Sequence, residues 1–99
     1  MEIQIQSIHF DADKKLKDFI QKKVHKLSTF YDRIVDAEVF LRLEKQGASI
    51  KNKVAEIKLN VPGNTLYATQ TTRVFEESVD LATDSLRRQL KRHKEKLRN

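Results

Sequence analysis

Three stretches of this chain alternate polar and apolar side chains with a period of two, and they follow one another closely. From Ile34 to Lys45, Val35, Ala37, Val39, Leu41 and Leu43 fall on one side, while Asp36, Glu38, Phe40, Arg42 and Glu44 fall on the other. The pattern returns from Val54 to Val61, with Ala55, Ile57, Leu59 and Val61 in phase, and from Thr65 to Thr72, with Leu66 and Ala68 in phase. Successive side chains of a strand point to opposite faces, so each stretch reads as a half-buried strand and the three as an antiparallel meander. Gln46, Gly47 and Ala48 supply the first turn. Pro62, Gly63 and Asn64 supply the second, because Pro presets φ while Gly and Asn tolerate positive φ.

A sheet with one apolar face needs a cover, and two segments have helical spacing. In Lys14 to Thr29, Leu16, Phe19, Ile20, Val24 and Leu27 form one stripe behind a capping Asp13. In Val74 to Leu97 the stripe is Phe75, Val79, Ala82, Leu86, Leu90, His93 and Leu97. Met1 to Phe10 reads as a further strand, with Ile3 and Ile5 on one face and a change of parity at Ile8 and Phe10. The order β-α-β-β-β-α predicts an α+β fold with a four-stranded mixed sheet. Its first crossover should be parallel and right-handed, and both helices should lie on one face. At 99 residues the whole chain, 1–99, is expected to be a single domain.

Lys plus Arg exceed Asp plus Glu by 20 to 14, for a net charge of +6, so an anionic partner comes first to mind. The placement of that charge says more. At about 100° per residue, the second helix carries two basic rails beside its apolar stripe. Arg88, Arg92 and Lys96 form one, and Arg87, Lys91, Lys94 and Arg98 the other. Its acids, Glu76, Glu77, Asp80 and Asp84, occupy the first half. Complementing the helix dipole accounts for such segregation in part, but it needs only one or two bases. So many unopposed cations would repel one another unless an anion lies against them. On the first helix, Lys15, Lys22 and Lys26 share one flank, with Lys23 at its margin. With both helices on one sheet face, these flanks are expected to border a groove for an RNA backbone, bound through salt-sensitive phosphate contacts.

Other chemistry finds little support. There is no Cys, which excludes disulfides and cysteine zinc sites and is compatible with a reducing cytosol. His9, His25 and His93 are far apart, so no metal or other cofactor is expected, and His93 reads as a packed helix-end residue. Asp11 and Asp13 precede a helix, where capping explains them better than acid-base work. No nucleophile motif or phosphate-cradling glycine loop occurs. The N-terminus lacks the pattern of a signal peptide, and no stretch is long and apolar enough to span a bilayer. Phe40 and Tyr67, on the open sheet face, are better read as cross-strand contacts than as base-stacking residues.

Three segments carry a resemblance to a known family: Val24 to Ile34, Val39 to Lys45, and Ser78 to Leu97, above all the terminal Arg-Gln-Leu-x-x-His-Lys-x-Lys-Leu run. The chain resembles the ribosome hibernation promoting factors, which include protein Y. That resemblance implies a cytoplasmic, non-enzymatic protein that binds the small ribosomal subunit between head and body, over the mRNA and tRNA positions, and blocks translation by occupancy. It also implies that Lys22, Lys23 and Lys26, with Arg88, Arg92 and Lys96, hold the rRNA-contacting positions, supported by Arg87, Lys91 and Lys94. Ser85 stands where many members carry Lys, which puts a contact there in doubt. Ending at Asn99, the chain looks like the short type, whose members either cooperate with a separate ribosome modulation factor to form dimers or hold single ribosomes inactive.

Other readings fare less well. A double-stranded RNA-binding domain has a similar element order but uses lysines where this last helix begins Phe75-Glu-Glu-Ser-Val-Asp80. A domain docking its basic helix on an acidic protein, and a small α/β enzyme, remain as alternatives from other classes.

Overall fold

The computed structural model describes residues 1–46 and 50–98. In chain order the elements are β1 (Glu2–Ile8), α1 (Lys14–His25), a 3-10 turn (Lys26–Thr29), β2 (Asp36–Gln46), β3 (Ile50–Val61), β4 (Asn64–Thr72) and α2 (Phe75–Leu97). Of the turn expected at Gln46, Gly47 and Ala48, Gln46 closes β2, and the other two lie outside the described residues.

The four strands form one sheet in the order β1-β2-β3-β4. β1 runs parallel to β2, from Glu2↔Asp36 to Ile8↔Arg42, and the later pairs are antiparallel. This is the mixed α+β sheet that the alternation predicts. Its inward residues Ala37, Val39, Leu41, Ala55, Ile57, Leu59, Val61, Leu66 and Ala68 are buried in a single cluster with Ile20, Val24 and Leu27 from the first helical segment and Val79, Ala82, Leu86 and Leu90 from α2. Both helices therefore cover the same face. Full burial of one such aliphatic side chain contributes roughly 1.5–3 kcal/mol relative to exposure, so the position of α2 is set by these contacts more than by its own helical propensity.

Local chemistry fixes the ends. Asp13 caps α1, its carboxylate accepting from the Leu16 amide at 2.8 Å. β3 and β4 are joined by Pro62 and Gly63, since Val61 pairs with Asn64. Gly63 has φ +78, as the second central residue of a type II turn requires, and nothing crowds its Cβ position, so conformation alone asks for glycine there. At the start of α2, Ser78 is fully buried; its hydroxyl donates to the Lys53 carbonyl at 2.7 Å and accepts from the Thr72 amide at 3.0 Å, tying the helix to both β3 and β4.

Some expected faces are trimmed. α1 ends at His25, and the segment to Thr29 tightens to 3-10 geometry. Val35 precedes the first β1–β2 pair, lies outside the strand and is 57% exposed. Leu43 is in phase with the core yet exposed, because β1 ends opposite Arg42 and β4 ends opposite Lys53, leaving this end of the β2–β3 hairpin beyond its neighbours. Leu97 is 60% exposed in the last turn of α2 for a similar reason: the stripe outruns the sheet. Conversely, Ser78 and Thr83 are buried where the apolar stripe names neither.

Candidate nucleic-acid interface

Two helices side by side on one sheet leave a groove between them. One wall comes from α1 and the 3-10 turn, with Lys23, Lys26, Leu27 and Phe30; the other comes from α2, with Asp80, Thr83, Asp84 and Arg87, around a cleft of about 320 Å³. Lys23 Nζ crosses the gap to Asp80 Oδ1 at 2.8 Å. Toward the C-terminal end of α2, Thr29 and Phe30 meet Arg87, Lys91 and Lys94 around a second cleft of about 240 Å³. Lys94 Nζ donates to the Phe30 carbonyl at 3.4 Å, which brings this cation across to the 3-10 side.

The geometry divides the bases named from sequence. Lys23, Lys26, Arg87, Lys91 and Lys94 line this pair of clefts. Lys22 is exposed on α1 but lines neither. Arg88, Arg92 and Lys96 are exposed, and at about 100° per residue they lie around the helix from Arg87 and Lys94, on the side that faces β4. There Gln89 Nε2 donates to the Tyr67 carbonyl at 2.8 Å and to Ser85 Oγ at 3.2 Å. Only one of the two rails of α2 thus shares a groove with α1, and the C-terminal half of the helix is cationic on both flanks.

Intramolecular acids offset the charge unevenly. Asp84 pairs with Arg87 at 3.1 Å and also with Arg88, so it engages one base from each rail. Hydrogen bonds from Arg87 and then Arg88 hold its carboxyl below the usual carboxylate range. Among the described residues Lys22, Lys26, Lys91, Arg92, Lys94 and Lys96 form no salt bridge, and after Asp84 the only acid in α2 is Glu95. The N-terminal half of the groove is accordingly near neutral, and the C-terminal half is strongly positive.

Phe30 is a residue that the charge pattern passes over. Phe30 is 39% exposed, lines both clefts, and has the Arg87 guanidinium carbon 5.9 Å from its ring centroid. Periodicity gives no separate mark for it: at about 100° per residue Phe30 falls between Phe19 and Leu16 of the apolar stripe, at the edge next to Lys23 and Lys26. His93 packs edge-on against Tyr31, centroids 5.4 Å apart at 84°, as a helix-end histidine should. Among the described residues no group of acids and histidines is arranged to hold a metal, and no helix is long and apolar enough to cross a membrane.

The model of the family described as Sigma 54 modulation protein / S30EA ribosomal protein matches residues 3–98. The chain belongs to this family. Among its relatives, the ribosome hibernation promoting factor of Azotobacter vinelandii is 32% identical over 96 residues, spanning 97% of this chain and 85% of the relative. That of Klebsiella oxytoca is 30% identical over 98 residues, spanning 99% and 98%. The N-terminal domain of Thermus thermophilus Protein Y superposes with a TM-score of 0.82 at 26% identity, over 94% of this chain and 99% of that one. A ribosomal subunit interface protein from Coxiella burnetii, at 24% identity, shares the fold with a TM-score of 0.84 over 95% and 98%. In this S30EA family member the unpaired cations of α2 fall within the matched span, so they decorate a fold found in relatives named for ribosome hibernation.

Proposed function

We propose that this chain is a ribosome hibernation factor that acts in the cytoplasm by binding the small ribosomal subunit through rRNA phosphates and excluding mRNA and tRNA from the decoding channel. The observation that carries this reading is the C-terminal half of α2, where Lys91, Arg92, Lys94 and Lys96 stand exposed and, among the described residues, without acidic partners, on both flanks of a helix anchored by Leu86 and Leu90. A rigid cationic rod of this kind suits a channel walled by RNA. One flank, with Lys26 and Phe30 from the neighbouring segment, takes a backbone into the inter-helical groove; the other, with Arg88 and Arg92, meets a second rRNA segment. Family membership and the names of the relatives support the ribosomal partner. Inhibition by occupancy requires no catalytic group. Dimerisation of ribosomes through a separate modulation factor is compatible with this mode of binding and is not needed for it.

Sedimentation of cell extract through sucrose gradients at low and high salt tests the proposal. Co-migration with small subunits or whole ribosomes that disappears at high salt is expected, because phosphate contacts release counterions. A protein that stays at the top of both gradients would contradict it.

A further inference from the structure

Phosphate contacts do not explain why an aromatic ring lies open among the cations. Tyr67, also exposed, belongs to the uncovered sheet face; Phe30 stands on the helical side, where the positive charge is. Phe30 lines the cleft with Lys23, Lys26 and Arg87, the cleft with Arg87, Lys91 and Lys94, and a third of about 370 Å³ with Ser28, Thr29, Tyr31, Asp32 and Lys94. Phe30 is thus the wall at which all three meet. The backbone beneath it is restrained: the Phe30 amide donates to the Leu27 carbonyl at 3.0 Å, and its carbonyl accepts from Lys94. On the ring side, Arg87 is itself held by Asp84. The result is an exposed aromatic side chain on a restrained backbone, with the Arg87 guanidinium over the ring at 5.9 Å and Lys26, Lys91 and Lys94 lining the same clefts.

From this arrangement we infer that Phe30 is a stacking platform for one unpaired nucleobase, with Arg87 flanking the base and Lys26, Lys91 and Lys94 taking the adjoining phosphates. Charge complementarity selects the class of ligand: an apolar peptide side chain would gain from the ring but not from the surrounding cations, whereas a nucleotide uses both. Stacking tolerates any base, since every base has a π-face, so the site adds affinity for single-stranded or splayed-out RNA without reading sequence. This deepens the rRNA-binding proposal and rests on it: the helical face would recognise a place where the ribosomal chain is unpaired, and the rails alone would not demand that.

The chain contains no Trp, so a Phe30→Trp variant carries one reporter at the site. Titrated with a short oligouridylate, its fluorescence should be quenched as the strand binds, while an abasic strand of equal length binds without comparable quenching. In the parent chain, Phe30→Ala and Phe30→Leu should each lose about tenfold in affinity for the oligouridylate and for small subunits, with the dependence on salt unchanged, and Phe30→Tyr should retain it. Equal quenching by both strands, or RNA bound with no quenching, would overturn the stacking site and leave phosphate binding intact. Binding of small subunits without any binding of the oligouridylate would overturn it as well. Failure of every RNA and subunit to bind would instead remove the ribosomal reading and this inference together.

Discussion

The Asp84 carboxylate is shared by Arg87 and Arg88, one from each basic flank of α2. It sits between the two surfaces proposed to meet RNA and holds a cation of each away from an incoming phosphate. Asp84→Asn should therefore tighten binding to small subunits and, more so, to unrelated RNA, lowering discrimination between them; equilibrium binding at fixed salt measures both. Weaker binding in the variant would show that the acid serves to position the arginines.

The pH dependence of that effect follows from the direction of the shift. Arg87 and Arg88 lower the Asp84 pKa from its ordinary 3.8. A group depressed in the folded state contributes stability above its unfolded pKa and loses it as pH falls through the folded value. Asp84 thus stays ionised throughout the neutral range, and the difference in RNA affinity between Asp84→Asn and the parent should be the same at about pH 6 and about pH 8. A gap that closes toward pH 6 would place the relevant titration elsewhere.

Ser78 connects α2 to the sheet through the Lys53 carbonyl and the Thr72 amide. Replacing it with Ala leaves two half-buried backbone groups without this partner, and loss of a buried partner costs about 1–3 kcal/mol. Urea unfolding of Ser78→Ala should show that loss. A change within error would mean that the backbone groups find other partners.

Much of this molecule is legible in its sequence. Period-two alternation at Ala37, Val39 and Leu41 and again at Ala55, Ile57 and Leu59 identifies strands and their buried face, and Asp13 marks the start of α1 where its cap bond is found. At Val35, Leu43 and Leu97 phase misleads, because phase is a local property, whereas burial depends on how far neighbouring elements extend. The role of Ser78 is hidden in the sequence, since a polar residue off the apolar stripe carries no mark of a distant carbonyl. The site is legible as charge but not as layout. Helical periodicity separates Arg88, Arg92 and Lys96 from Arg87, Lys91 and Lys94, yet only the packing of α1 against α2 decides which set shares the groove with Lys23 and Lys26.

Leu86 is completely buried at the centre of α2. Leu86→Ala should cost about 2–5 kcal/mol in unfolding free energy, the range for an aliphatic side chain truncated in a packed core. Because the helix keeps its exposed cations, RNA affinity measured well below the lowered melting temperature should change little. A large loss of affinity in a folded variant would mean that a small shift of α2 disrupts the basic surface.

The central claim is that cations on α2, with those beside them on the first helical segment, lie against ribosomal phosphates. The salt dependence of binding to purified small subunits tests it most directly, comparing the parent with Lys91→Glu/Lys94→Glu and with Arg88→Glu/Arg92→Glu. For each pair the slope of log affinity against log salt should become shallower by about 0.7–0.9 for every phosphate no longer engaged, with folding intact by circular dichroism. Weakened binding with an unchanged slope in both pairs, or no weakening at all, would contradict it.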